Sequence, residues 1–252
     1  MQAMSIRRGL RTIRRWAGRV RGPRLWRHGG LDVSYFHDLD GGGSFAAADY
    51  ARVIRAHTNK PFERAFEWCS GPGFIGFSLL AGGLAKTCCF ADINPRAIDC
   101  VRRTVRRNAL GDRVAAYVSD NLDSVPDSEQ FDLVVGNPPS YAGLNPQHPL
   151  YARFRDDLRP NDPDWRIHRR FFQTIRSHLR PGAMLFIAEV QIHEMVVRTP
   201  GFEEPYDIRR RPPIDDFREM IRDAGLELVA VEPLTVLPGG FPCEVMIIRN
   251  PS

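Results

Sequence analysis

No stretch of this 252-residue chain approaches 18 consecutive apolar residues, so no membrane-spanning helix is expected. Cysteine is scarce. There are five, with Cys88 and Cys89 adjacent inside an apolar run, which excludes a disulfide framework and reads as reduced thiols in a cytosolic protein. No internal repeat is present, and no metal site is expected. Acid is missing altogether from residues 1–30, which hold nine arginines (positions 7, 8, 11, 14, 15, 19, 21, 24 and 27). The whole chain carries net +5, so the remaining residues carry net −4. A core of that sign lacks the wide basic face that grips phosphates, which argues against a nucleic-acid partner for the core itself. Within the tail, Ile6, Leu10, Ile13, Ala17 and Val20 fall at helical spacing with arginine on the other faces. The tail therefore reads as a basic amphipathic helix, packed on the domain edge or in contact with RNA, another acidic surface or a membrane surface, and its arginine-rich, acid-free start also suits an organellar transit peptide. Its arginine pairs lack the apolar region of an export signal.

What the chain does have is an abrupt strand end. The run Phe131-Asp-Leu-Val-Val-Gly136 stops at Asn137-Pro138-Pro139. Proline has no N–H and a fixed φ, and it pushes the preceding residue to extended geometry. The Asn137 side-chain oxygen and the Pro138 carbonyl thus form a rigid pair of acceptors suited to an –NH₂ group. Upstream, Phe66-Glu67-Trp68-Cys69-Ser70-Gly71-Pro72-Gly73-Phe74-Ile75-Gly76 reads as strand, tight turn and helix. Its glycines let backbone approach a ligand, and the following helix N-terminus favours negative charge. Read literally, Gly71 to Gly76 is the G-x-G-x-x-G of dinucleotide binding, with Asp92 about 20 residues on.

Three acids favour a different ligand. Glu67 precedes the loop, where a carboxylate suits an ammonium and repels a pyrophosphate. Asp92 closes the run Thr87–Ala91, placed to accept from two ribose hydroxyls. Asp120 follows Val114–Val118, placed to accept from an adenine amine. Acids at three successive strand ends, then Asn-Pro-Pro at the fourth, point to S-adenosylmethionine as cofactor.

On these residues the chain resembles the class I S-adenosylmethionine-dependent methyltransferases, and among them the amino-methyltransferases with an Asn-Pro-Pro-aromatic motif, of the release-factor glutamine and adenine-N6 types. The resemblance implies an α/β, Rossmann-like sheet of order 3-2-1-4-5-7-6, with the last strand antiparallel and helices on both faces. It implies cofactor contacts at Glu67, Cys69, Gly71, Gly73, Asp92, Ile93, Asp120, Asn121 and Asn137. Catalytic roles fall to Asn137, Pro138 and Tyr141, and acceptor contacts to Pro139, Ser140, Glu189 and His193. Two positions depart from the family pattern. Cys69 stands where glycine is usual, and Ser140 stands where an aromatic is usual, with Tyr141 one place later.

The expected organisation is a basic tail over 1–30, a helical extension over 31–61 and a methyltransferase domain over 62–252. The triplet Gly41-Gly42-Gly43 lies just ahead of the cofactor strand, where it can fold over the site. The expected function is N-methyl transfer. The net −4 core and Ser140 favour a small-molecule or amino-acid-like acceptor. The alternatives are a macromolecular acceptor (an RNA base or a protein glutamine, with nucleic acid reached through the tail) and a catalytically silent binding subunit of the same fold.

Overall fold

The computed structural model describes residues 22–140, 161–190, 213–234 and 243–251. Seven strands form one sheet: β3 (Phe62–Trp68), β4 (Ala85–Asp92), β5 (Val114–Val118), β6 (Phe131–Gly136), β7 (Leu179–Val190), β8 (Glu227–Leu234) and β9 (Cys243–Arg249). Their spatial order is β5-β4-β3-β6-β7-β9-β8. Counted along the sheet-forming strands alone this is 3-2-1-4-5-7-6. Strands β3 to β7 run parallel, whereas β9 is antiparallel to both β7 and β8. The expected topology is therefore the observed one. The chain reverses its winding between β3 and β6, and ligands of doubly wound sheets bind at that point, beyond the carboxyl ends of the strands.

The strands are apolar on both faces, as a sheet covered on both sides requires. In β3 the alternation is visible residue by residue. Ala65 packs with α1 (Gly43–His57), α2 (Phe74–Ala81) and α3 (Pro95–Arg107), while Phe66 and Trp68 pack on the opposite face with α4 (Arg166–Ile175) and α5 (Pro213–Asp223). Trp68 and Phe171 stack at 3.8 Å between ring centroids on that second face. Helix α3 begins as its sequence predicts: Pro95 is in the first turn and the Asn94 side chain accepts from Arg96 N–H at 3.0 Å.

The N-terminal part differs from expectation. Arg24–His28 and Leu31–Tyr35 form an antiparallel hairpin, β1 and β2, turned at Gly29 and Gly30, whose φ values are 53° and 84°. The boundary drawn between residues 30 and 31 falls at the foot of this turn, and after one 3-10 turn at His37–Leu39 the α-helix of the extension begins at Gly43. Alternation over so short a stretch is masked by its charged residues, which is why it did not read as strand. The proposed helix over Ile6–Val20 lies outside the described residues.

Helix α3 fastens the hairpin to the sheet. Asn108, just past the helix, accepts from Asp32 N–H and donates to Asp32 C=O, each at 3.0 Å. Thr104, fully buried, accepts from Ser34 N–H at 2.9 Å. Thr104→Val keeps the volume and removes that acceptor. It should lower unfolding stability by about 1–3 kcal/mol, the cost of a buried N–H left unpaired. Urea denaturation, with amide exchange at Ser34 as the local readout, checks it; unchanged stability together with unchanged exchange would remove this fastening role.

Candidate active site

The glycine loop is held from below. Glu67 is only 2% exposed, and its carboxylate oxygens accept from Ile75 N–H at 3.3 Å and Gly76 N–H at 2.7 Å, at the start of α2. Burial pushes its carboxyl up to about 8, against the opposing pull of those two amides. Glu67 therefore braces the loop at the start of α2. Gly76 is fixed by the same packing, since a Cβ there would stand 2.7 Å from a Glu67 oxygen and 2.6 Å from the Phe90 ring. Gly71 is different: φ is +51°, and a Cβ would meet nothing nearer than Leu39 C=O at 3.5 Å, so its outer face is open backbone. Cys69 also lies at φ 51°, the region where a side chain costs about 1–2 kcal/mol and glycine is at ease. That explains why its replacement of the usual glycine is tolerated but not free.

Asp92 links this loop to the next strand end. Its oxygens accept from Gly71 N–H at 2.7 Å and from Asn94 N–H at 2.8 Å, and burial raises its pKa. Each oxygen keeps a second lone pair. Ile93 beside it is 51% exposed, unusual for a large apolar side chain at the edge of such a loop. Open loop backbone, a fixed carboxylate and an uncovered apolar side chain together fit a ribose carrying a flat base. Asp120 is on the same rim, bridged by Arg170 at 3.0 Å, and Arg170 also bonds Asp123. Asn121 turns inward at φ 53°, and its side-chain oxygen accepts from Trp68 Nε1 at 2.8 Å. Its side chain thereby ties the turn after β5 to Trp68 of β3.

Asn137 is held by the N-terminal extension. Its Nδ2 donates to Gly41 C=O at 3.1 Å. A carbonyl can only accept, so this bond fixes which way the amide points: Nδ2 toward Gly41 and Oδ1 away from it. The glycine triplet does lie over the site, and Asp40 sets its shape by accepting from Gly42 N–H at 3.0 Å and from Ser44 Oγ at 2.6 Å. Beneath Asn137, the Tyr50 hydroxyl from α1 donates to Gly136 C=O and accepts from Ala188 N–H at 2.9 Å. One hydroxyl thus joins the residue before Asn137 to the residue before Glu189.

Glu189 ends in a buried chain of ionisable groups. His168 Nε2 lies 2.7 Å from Glu189 Oε1, and Nδ1 lies 2.6 Å from Asp162 Oδ2. All three side chains are 0–1% exposed. Burial alone would lower the His168 pKa, but the Glu189 charge and the hydrogen bonds to both carboxylates outweigh it and hold the imidazolium to about 9. Asp162 also accepts from Ile167 N–H at 2.7 Å and His168 N–H at 3.1 Å, capping α4. Ser140 is buried, and its hydroxyl donates to the Pro138 carbonyl at 3.2 Å; Pro139 beside it is buried too. Tyr141 and His193 lie outside the described residues. The sequence did not single out Asp40, Tyr50, Asp162 or His168. The available signals were an Asp four residues ahead of a Ser at a helix start, and a histidine on the apolar face of α4.

Two predictions follow from these groups. Tyr50→Phe strips partners from one buried carbonyl and one buried N–H at once. Stability should fall by about 1–3 kcal/mol in urea melts; a neutral effect would mean that the strands hold their spacing without it. The second concerns pH. The fold keeps protons that the unfolded chain releases: on Glu67 between 4.5 and about 8, and on His168 between 6.5 and about 9. Stability should therefore decline as pH rises through these windows. Glu67→Gln should flatten the lower part and leave the decline from 6.5 to about 9. Urea melts across this range check it, and stability rising with pH in the intact chain would contradict the assignment.

Comparison with known proteins places this geometry. Residues 51–196, more than half the chain, match the family described as the methyltransferase small domain. Over 109 residues the chain is 31% identical to the ribosomal RNA small subunit methyltransferase C of Actinobacillus pleuropneumoniae, covering 43% of this chain and 30% of that protein. Over 113 residues it is 26% identical to the release factor glutamine methyltransferase of Clostridium botulinum, covering 44% of this chain and 38% of that protein. The matched segment thus spans less than half the length of these relatives. Among solved structures, a transferase of Pyrococcus horikoshii superposes with a TM-score of 0.55 at 16% identity, covering 90% of this chain and 71% of that one. The same organism's TYW2, solved with MeSAdo, gives 0.53 at 15% identity, covering 90% and 70%. No helix among the described residues is long and apolar enough to cross a membrane. The relatives overturn the small-molecule acceptor inferred from core charge and Ser140, since they are named for action on ribosomal RNA and on release factor glutamine. Net charge reports on long-range attraction and says little about what a strand end holds. A family match over more than half of the chain makes it a member of the methyltransferase small domain family, on a sheet with the strand order of the class I methyltransferases.

Proposed function

We propose that the chain methylates a nitrogen of a macromolecular acceptor, an RNA base in the first place. The observation that carries this reading is the Asn137 amide. Its Nδ2 is spent on Gly41 C=O, and no described residue donates to Oδ1. That oxygen and the Pro138 carbonyl form the acceptor pair for an –NH₂ group. Accepting its hydrogens there holds the nitrogen lone pair in one direction, which is orientational and electrostatic help and needs no strong base.

S-adenosylmethionine, when bound, supplies a methyl already activated by its sulfonium. Gly71 would offer it open backbone, Gly73 packs its turn against Phe77 and Phe90, Asp92 and Ile93 would hold ribose and base, and Asp120 lies at the rim. Glu67 keeps the loop in shape from beneath. The nine arginines of residues 1–30 supply phosphate contacts that the net −4 remainder does not.

Asn137→Ala should leave S-adenosylhomocysteine affinity within a few-fold and lower turnover by about 10²-fold or more, as for loss of a preorganised polar group. Calorimetry and methyl transfer to ribosomal RNA transcripts measure the two; full turnover in the variant would reduce Asn-Pro-Pro to a strand stop. Removing residues 1–21, which hold seven of the nine arginines and spare β1, should weaken RNA binding and flatten its dependence on salt between about 50 and 300 mM. An unchanged salt slope in the shortened chain would take the tail out of RNA contact.

A further inference from the structure

Among the described residues one phenylalanine, tyrosine or tryptophan side chain is exposed: Phe45, at 49%. A lone apolar side chain in water is ordinary on most of a surface, and its meaning depends on where it stands. Here the place is set by two contacts. Gly41, four residues earlier, accepts from Asn137 Nδ2 at 3.1 Å, and Tyr50, five residues later, bonds Gly136 C=O and Ala188 N–H. Helix α1 descends from there along the sheet, to His57 with its ring 6.1 Å from that of Phe186. At 1.5 Å per residue, five residues raise Phe45 about 7–8 Å above the level at which Tyr50 meets the strands. Ala46, Ala47 and Tyr50 face the core and are buried, whereas Phe45 and Ala48 face solvent. Phe45 therefore stands beyond the strand ends, at the mouth through which an acceptor reaches Asn137. The residues after Pro138 offer no such face, since Pro139 and Ser140 are buried.

Resting on the proposed transfer to an RNA base, we propose that Phe45 is a stacking platform at the acceptor mouth, holding an unpaired base of the RNA by its flat face. Within a duplex both faces of a base are covered by its neighbours. In a loop, a bulge or a strand end they are free to lie on an aromatic ring. The ring covers apolar surface on both partners, and it does so for any base, because every base has a π-face. A phenyl ring carries no polar atom, so Phe45 grips without reading; the choice of atom to be methylated stays with Asn137 and the Pro138 carbonyl. The contact complements the arginines of residues 1–30, which act on phosphates and are indifferent to whether a base is present. It also separates RNA from a glutamine acceptor, whose small amide plane would cover little of the ring.

The test uses the full chain saturated with S-adenosylhomocysteine, titrated with two labelled strands of equal length and charge, an oligouridylate and its abasic counterpart. The oligouridylate should bind about ten-fold more tightly, the worth of one base on an aromatic ring. Phe45→Ala should remove most of that difference by weakening the oligouridylate alone, and should keep S-adenosylhomocysteine affinity, which shows that the variant is folded. Phe45→Trp should preserve the difference, and its added indole emission should be quenched by the oligouridylate and not by the abasic strand. A merely structural role for the side chain would not move that signal. Equal binding of both strands by the intact chain, a difference that survives Phe45→Ala, or an indole in Phe45→Trp that the oligouridylate leaves unquenched would each overturn the stacking role. Failure of the intact chain to bind either strand would overturn RNA as the acceptor, the reading on which this inference rests, and the inference with it.

Discussion

The arrangement at the strand ends depends on the hydroxyl of Tyr50. Parallel strands β6 and β7 pair up to Gly136 and Ile187, and there their pairing ends. Parting exposes a carbonyl on one strand and an N–H on the other in a place without water. Tyr50 inserts one oxygen between them and satisfies both. Asn137 and Glu189 are the next residues on the two strands, so their separation is fixed by a side chain from a helix that precedes the sheet.

Strain and buried charge gather around the same edge. Four non-glycine residues with left-handed φ border it: Cys69, Asn121, Asp164 and Trp165. Each turns the chain sharply where a strand gives way to a loop or a loop to a helix, and such conformations persist only where packing over-determines them. Trp165 is buried against Phe217 and His168, with ring centroids 4.9 Å and 5.6 Å away. The Asp162–His168–Glu189 chain is a further cost, because three ionisable groups removed from water must hold one another. Unpaired charges would not survive there, so the imidazolium between two carboxylates is the arrangement that the low-dielectric interior permits.

The sheet was legible because its signals are local. Apolar runs ending in acid or in Asn-Pro-Pro, a glycine turn, and Asn94-Pro95 at a helix start each act within a few residues, and the topology followed. Less legible was the division of labour among the acids. Glu67, Asp92 and Asp120 stand at successive strand ends, but spacing does not reveal that Glu67 alternates to the α2 side and accepts from two amides there. Tyr50 and His168 were invisible for the opposite reason. Their partners lie 86 and 21 residues away, and on their own helices they look like ordinary core aromatics. The hairpin was missed because its pairing is local but its burial comes from α3, a helix more than 60 residues downstream.

The bond from Asn137 to Gly41 has a consequence for modularity. The atom that orients the Asn137 amide belongs to residues outside the sheet, in a turn shaped by Asp40. Cofactor grip and amide orientation are thus encoded in separate stretches of the chain. A chimaera that exchanged only the strands and glycine loop with a relative would inherit the grip but not the orientation. A change in the Asp40–Ser44 turn would therefore act on the Asn-Pro-Pro strand end as well.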